Sequence, residues 1–74
     1  MPEDAKILLQ TCIDQHLQAT IQSHTAKPQW YPDPETEPEE LWQWLVDNGY
    51  FELVGADISS GVVLSGKALA WHRK

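Results

Sequence analysis

Apolar residues return every three or four positions through the first third of the chain, and this spacing predicts a helix from about Pro2 to Ala26. At about 100° per residue, Ala5, Leu9, Ile13, Leu17, Thr20 and His24 fall on one side, with Cys12 and Ile21 at its margins. Gln10, Asp14, Gln18 and Gln22 serve the wet side or its edge. Pro2, Glu3 and Asp4 suit a first turn, because proline lacks an N–H that would go unused there and the acids face the positive end of the helix dipole. Ile7 and Leu8 lie off the stripe, as expected of a helix that meets a second surface or another subunit.

The period breaks at Lys27-Pro-Gln-Trp-Tyr-Pro-Asp-Pro-Glu35, where three prolines forbid a helix. Residues 27–36 are expected to form an extended crossing, strapped over the first helix by Trp30, with Trp30 and Tyr31 as an aromatic pair flanked by acid. A second helix is predicted over Glu37 to Asn48. Thr36 and Glu39 have the spacing of a capping box, Pro38 fits the first turn, and Asn48-Gly49 supplies the stop. Its apolar positions form two lines, Leu41, Trp44, Leu45 and Asn48 on one and Trp42, Leu45 and Val46 on the other, an arc wide enough for two partners.

Tyr50–Val54 is β-favouring, and Val62–Leu64 is its expected antiparallel mate across Gly55–Gly61. Ser65 is placed to cap a short closing helix over about Gly66 to Arg73, with Leu69 inward and cations in the last turn. The predicted fold is therefore α+β in a single small domain spanning 1–74. Its parts are a long first helix (1–26), the Pro-rich crossing (27–36) and a helix, two-stranded hairpin and helix unit (37–74).

Charge changes this picture more than composition does. The net charge is −6, and no Lys or Arg lies between Lys27 and Lys67, while Asp33, Glu35, Glu37, Glu39, Glu40, Asp47, Glu52 and Asp57 all fall there. Such a field repels a nucleic-acid duplex. At 74 residues a single core holds a fold only marginally, so a homodimer is a natural expectation. Cys12 is the single cysteine, which excludes an internal disulfide. The N-terminus lacks the basic stretch and apolar run of a signal peptide, and no apolar segment reaches the roughly 20 residues that span a bilayer. A cytoplasmic protein away from membranes is expected.

Candidate chemistry is sparse. Gly61–Ala68 comes within one residue of a phosphate loop, but Ala68 stands where the magnesium-holding hydroxyl belongs, and the letters are those of a strand, a serine cap and a helix. Cys12 and His16 are spaced to share a metal, yet too few further ligands exist to complete a site. Glu35, Glu37, Glu39 and Glu40 precede or begin a helix, where negative charge is expected without catalysis. No enzyme activity, metal or cofactor is expected.

Leu45-Val-Asp-Asn-Gly-Tyr-Phe51 through Val62-Val-Leu-Ser-Gly-Lys-Ala-Leu69 resembles the C-terminal half of winged-helix domains, in which a helix precedes a two-stranded wing and a closing helix. That resemblance, covering about residues 37–74, implies a transcription-linked regulator that would touch nucleic acid through Lys67, His72, Arg73 and Lys74. The helix in the reading position carries Glu and Trp instead of Lys or Arg, which resembles variants that bind proteins. The leading expectation is thus a non-enzymatic protein-interaction module or adaptor, contacting a protein partner or itself through Trp30, Tyr31, Trp42, Trp44, Glu37, Glu39 and Glu40. An acidic inhibitor or DNA mimic seated in a basic groove is the other alternative.

Overall fold

The computed structural model describes residues 1–25, 27–33, 35 and 38–73. Helix α1 spans Glu3–Gln22, with Pro2 as N-cap and Glu3 and Asp4 in the first turn. Only Ala5, Leu9, Cys12 and Ile13 are buried along it. The apolar stripe is therefore shorter than its periodicity predicts: Leu17 is 39% exposed and Ile21 78% exposed. The helix also stops earlier than Ala26. Ser23 is already extended (φ −151°, ψ 122°), and its hydroxyl lies 3.2 Å from that of Thr25, the kind of local polar contact that competes with helical bonding. His24 lies outside α1 and is exposed, and Ala26 is outside the described residues.

Helix α2 spans Glu39–Asp47 and begins two residues later than expected. Pro38 is its N-cap, not a first-turn residue, and no side chain caps it; Thr36 and Glu37 lie outside the described residues. Trp42 and Leu45 are buried, Leu41, Trp44 and Val46 are half-buried, and Asn48 is exposed instead of lying on a buried line. The Asn48-Gly49 stop is a Schellman turn: Tyr50 N–H donates to the Leu45 carbonyl at 2.9 Å and Gly49 N–H to that of Val46 at 3.0 Å. Gly49 supports it with φ +84°, a conformation that glycine reaches without Cβ strain.

The Schellman turn delivers the chain directly into β1 (Phe51–Leu53), which pairs antiparallel with β2 (Val62–Leu64) in the register Phe51 to Leu64, Glu52 to Val63 and Leu53 to Val62. The connection contains a 3-10 turn at Ile58–Ser60, whose buried Ile58 plugs the core. The other edge of β2 is occupied by the crossing. Trp30 N–H donates to the Val62 carbonyl at 3.0 Å, and Val62 N–H donates back to Trp30 at 2.8 Å. The sheet thus has two strands, with β2 bridged by the crossing at the single position Val62 on its other edge.

Helix α3 spans Gly66–His72, and the Ser65 hydroxyl accepts from Ala68 N–H, as its position predicts. Ala68, rather than Leu69, is its buried residue; Leu69 is half-buried. The core lies between α1, α2, the hairpin and α3, and comprises Ala5, Leu9, Cys12, Ile13, Trp42, Leu45, Phe51, Ile58, Val62 and Ala68. Phe51 is its aromatic hub, with Trp42 tilted against it at 5.3 Å and Trp30 edge-on at 6.0 Å between ring centroids. The α+β architecture expected from the sequence is the one observed.

Candidate functional site

The residues singled out in the sequence separate into core, strap and surface. Trp42 belongs to the core: it is 3% exposed, so it does not offer a contact face, contrary to its place among the expected interaction residues. It reaches from α2 toward the hairpin, where its ring packs against Phe51. Its indole N–H is buried and has no hydrogen-bond partner among the described residues. Trp30 is half-buried and fastens the crossing to α1, its indole N–H donating to Gln15 Oε1 at 2.7 Å. Tyr31 is 65% exposed and donates its hydroxyl to Gln29 Oε1 at 2.7 Å. Its ring lies against Gly61, where a Cβ would come within 3.0 Å of it. Glu37 is outside the described residues.

Glu39, Glu40 and Trp44 come together. With Gln43 and Asp47 they line a shallow, wide-open groove of about 390 Å³ on the outer side of α2, every lining residue coming from that one helix. Residues three, four and seven apart share a helix face, so Glu40, Gln43, Trp44 and Asp47 form one continuous strip. Gln43 Nε2 donates to Asp47 Oδ1 at 2.8 Å, which orders that end of the strip. Glu39 and Glu40 are exposed. No Lys or Arg contributes to the lining, so the three carboxylates act in one direction on anything that enters.

The indole on this groove is supported from within. Trp44 stacks on Tyr50 at 6.2 Å with 11° between the ring planes, and Trp71 meets Tyr50 edge-on at 6.4 Å. The Lys67 ammonium sits 4.6 Å from the centre of the Tyr50 ring and donates to the Asn48 carbonyl at 2.6 Å. Gln43 and Asp47 were missed by reasoning that followed the apolar arc of α2. The i, i+3, i+4, i+7 spacing from Glu40 was the signal that could have found them.

The cations do not form a comparable surface. Lys67 is engaged with Asn48 and Tyr50, at the start of α3. His72 Nδ1 lies 3.3 Å from Gln10 Nε2 between α3 and α1, while exposed Arg73 is the C-cap of α3. Lys67 and Arg73 thus sit at opposite ends of one short helix; Lys74 is outside the described residues. Cys12 is buried and His16 half-buried on α1, and among the described residues no three His, Cys, Asp or Glu side chains gather as a metal set.

Asp57 caps the 3-10 turn, accepting from the Ser59 hydroxyl at 2.6 Å and from the Ser60 hydroxyl and N–H, each at 3.2 Å. The Ser59 and then the Ser60 side-chain bonds hold its carboxyl below the usual aspartate value. Among the described residues, no helix is long and apolar enough to cross a membrane.

The chain matches no known family model, curated protein or solved structure. The winged-helix likeness accordingly rests on the order of its elements and the residues quoted for it.

Proposed function

We propose that this chain is a small non-enzymatic interaction module that presents the outer face of α2 to a protein partner. The observation that carries the reading is the α2 groove itself. It combines a half-buried indole, braced by Tyr50, with Glu39, Glu40 and Asp47 and no opposing cation in the lining. A rigid aromatic bordered by polar groups is the usual composition of an interface anchor and its rim. The lining provides carboxylates, an amide and an indole, with no hydroxyl, thiol or amine for the carboxylates to activate.

Nucleic acid is a poorer partner, because the phosphate backbone would meet charge of its own sign along α2 while Lys67 is already engaged. A cytoplasmic setting fits a chain whose single cysteine is buried and can form no internal disulfide. Self-association through α1 has little contiguous apolar surface to draw on, since its exposed apolar residues Ile7, Leu17 and Ile21 are spread along the helix.

A photo-cross-linking side chain at position 43, in the groove, tests the proposal in cells that naturally make the protein, with the same group at position 18 of α1 as comparison. A discrete protein adduct from position 43 that is absent from position 18 is expected. No adduct from position 43, or identical adducts from both, would overturn it.

A further inference from the structure

We infer that the α2 groove seats an arginine side chain from a basic segment of its protein partner, with the guanidinium stacked on Trp44 between Glu40 and Asp47. This rests on the reading of α2 as the contact face and specifies the chemistry of what it contacts. Three features of the molecule lead to it.

The first is charge complementarity. The groove carries Glu39, Glu40 and Asp47 and no cation in its lining, within a stretch of chain that has no Lys or Arg between Lys27 and Lys67. The second is the aromatic floor, which a purely acidic cluster would lack. Trp44 is held by stacking on Tyr50, so the indole is fixed before a ligand arrives and loses little freedom on binding. The third is that Tyr50, the ring on which Trp44 stacks, already holds a cation within the chain. Lys67 lies over Tyr50, showing that this cluster accommodates a positive charge against a ring face.

The placement of the carboxylates selects between cations. Glu40 lies one turn before Trp44, and Asp47 just under one turn after it, on the same face. A planar guanidinium lying flat on the indole directs N–H edges outward in its own plane, toward both sides at once. An ammonium is a compact, strongly hydrated charge that offers no flat face to the ring. Gln43 holds Asp47 Oδ1, leaving the other oxygen of that carboxylate to accept from the ligand.

The test uses the full chain with two synthetic peptides of equal length, an arginine homopeptide and a lysine homopeptide. Calorimetry gives affinity, and the Trp44 indole N–H resonance reports location. The arginine peptide is expected to bind more tightly than the lysine peptide and to shift the Trp44 resonance most among the tryptophans. Glu40→Gln and Asp47→Asn should each weaken arginine binding by about two- to fivefold, as should Trp44→Leu. The two carboxylate substitutions leave the Trp44–Tyr50 stack in place, so they remain decisive if Trp44→Leu disturbs folding. Equal affinity for the two peptides, or binding insensitive to Glu40→Gln and Asp47→Asn, would overturn the arginine assignment, even where cross-linking from position 43 still captures a partner. Self-association in sedimentation that is abolished by Arg73→Ala and by Glu40→Gln would overturn the assignment to a separate partner, by placing a second copy in the groove.

Discussion

Replacing Ser65 with alanine removes one hydroxyl and loosens three elements at once. Its Oγ accepts from Ala68 N–H at 3.3 Å, capping α3. It also lies 2.5 Å from the Gly49 carbonyl and 3.0 Å from that of Tyr50, at the junction of α2 and β1. The hydroxyl has one proton and can serve only one of those carbonyls at a time. Tyr50 also accepts from Ser65 N–H at 3.1 Å, a bond the substitution keeps, so Gly49 is the group that depends on the side chain.

Loss of a serine N-cap costs about 1 kcal/mol. The bond to Gly49 adds about 0.5–1.5 kcal/mol, toward the lower end because Gly49 is exposed and water can replace the donor. Ser65→Ala should therefore destabilise the domain by roughly 1.5 kcal/mol. A domain of this size has a total stability of about 4–11 kcal/mol, and the expected loss lowers Tm by roughly 10 °C. Urea denaturation followed by circular dichroism measures the change. Ser65→Gly separates the two contributions, since glycine at an N-cap costs only a few tenths of a kcal/mol and leaves chiefly the lost bond to Gly49. A loss below about 0.5 kcal/mol for Ser65→Ala would show that the hydroxyl does not tie these elements together.

Trp42 and Asp57 give two further tests. Trp42→Ala should cost about 3–5 kcal/mol, whereas Trp42→Phe should cost less than about 1.5 kcal/mol because it also removes a buried indole N–H without a partner among the described residues; equal losses in urea denaturation would contradict this account. Asp57 has a folded-state pKa below its unfolded value, so its contribution is present above the unfolded pKa and is lost as pH falls through the folded one. Asp57→Asn should accordingly lower stability at neutral pH, and the gap from the unaltered protein should narrow on acidification below about pH 4; a gap that widens there in pH-dependent denaturation would reverse the sign.

The parts of the fold that were legible are those set by near neighbours. Asn48-Gly49 ends α2, Ser65 starts α3, and the β-favouring residues around Phe51 and Val63 pair as their sequence implies. The parts that were not legible depend on distant packing. Trp42 and Trp44 both lie on the apolar arc of α2, and only the positions of Phe51 and Tyr50 decide that one enters the core while the other borders a groove. The end of α1 was overestimated because Leu17 and Ile21 continue the apolar spacing after the core has stopped. Glu39, Glu40 and Trp44 were identifiable one by one, yet their joining with Gln43 and Asp47 was hidden behind the stronger apolar pattern. The bridge at Trp30 involves a single position in a Pro-rich run, where no period exists to announce it.

That bridge bears on the order in which the chain folds. Pairing residue 30 with residue 62 closes a loop that contains α2 and β1, so it carries a loop-closure cost that the Schellman turn, spanning six residues, largely avoids. Without the crossing, the outer edge of β2 would be bare. Such an edge is a template for pairing with other chains. Trp30 occupies that edge at Val62, so the crossing shortens the row of backbone groups that another chain could pair with.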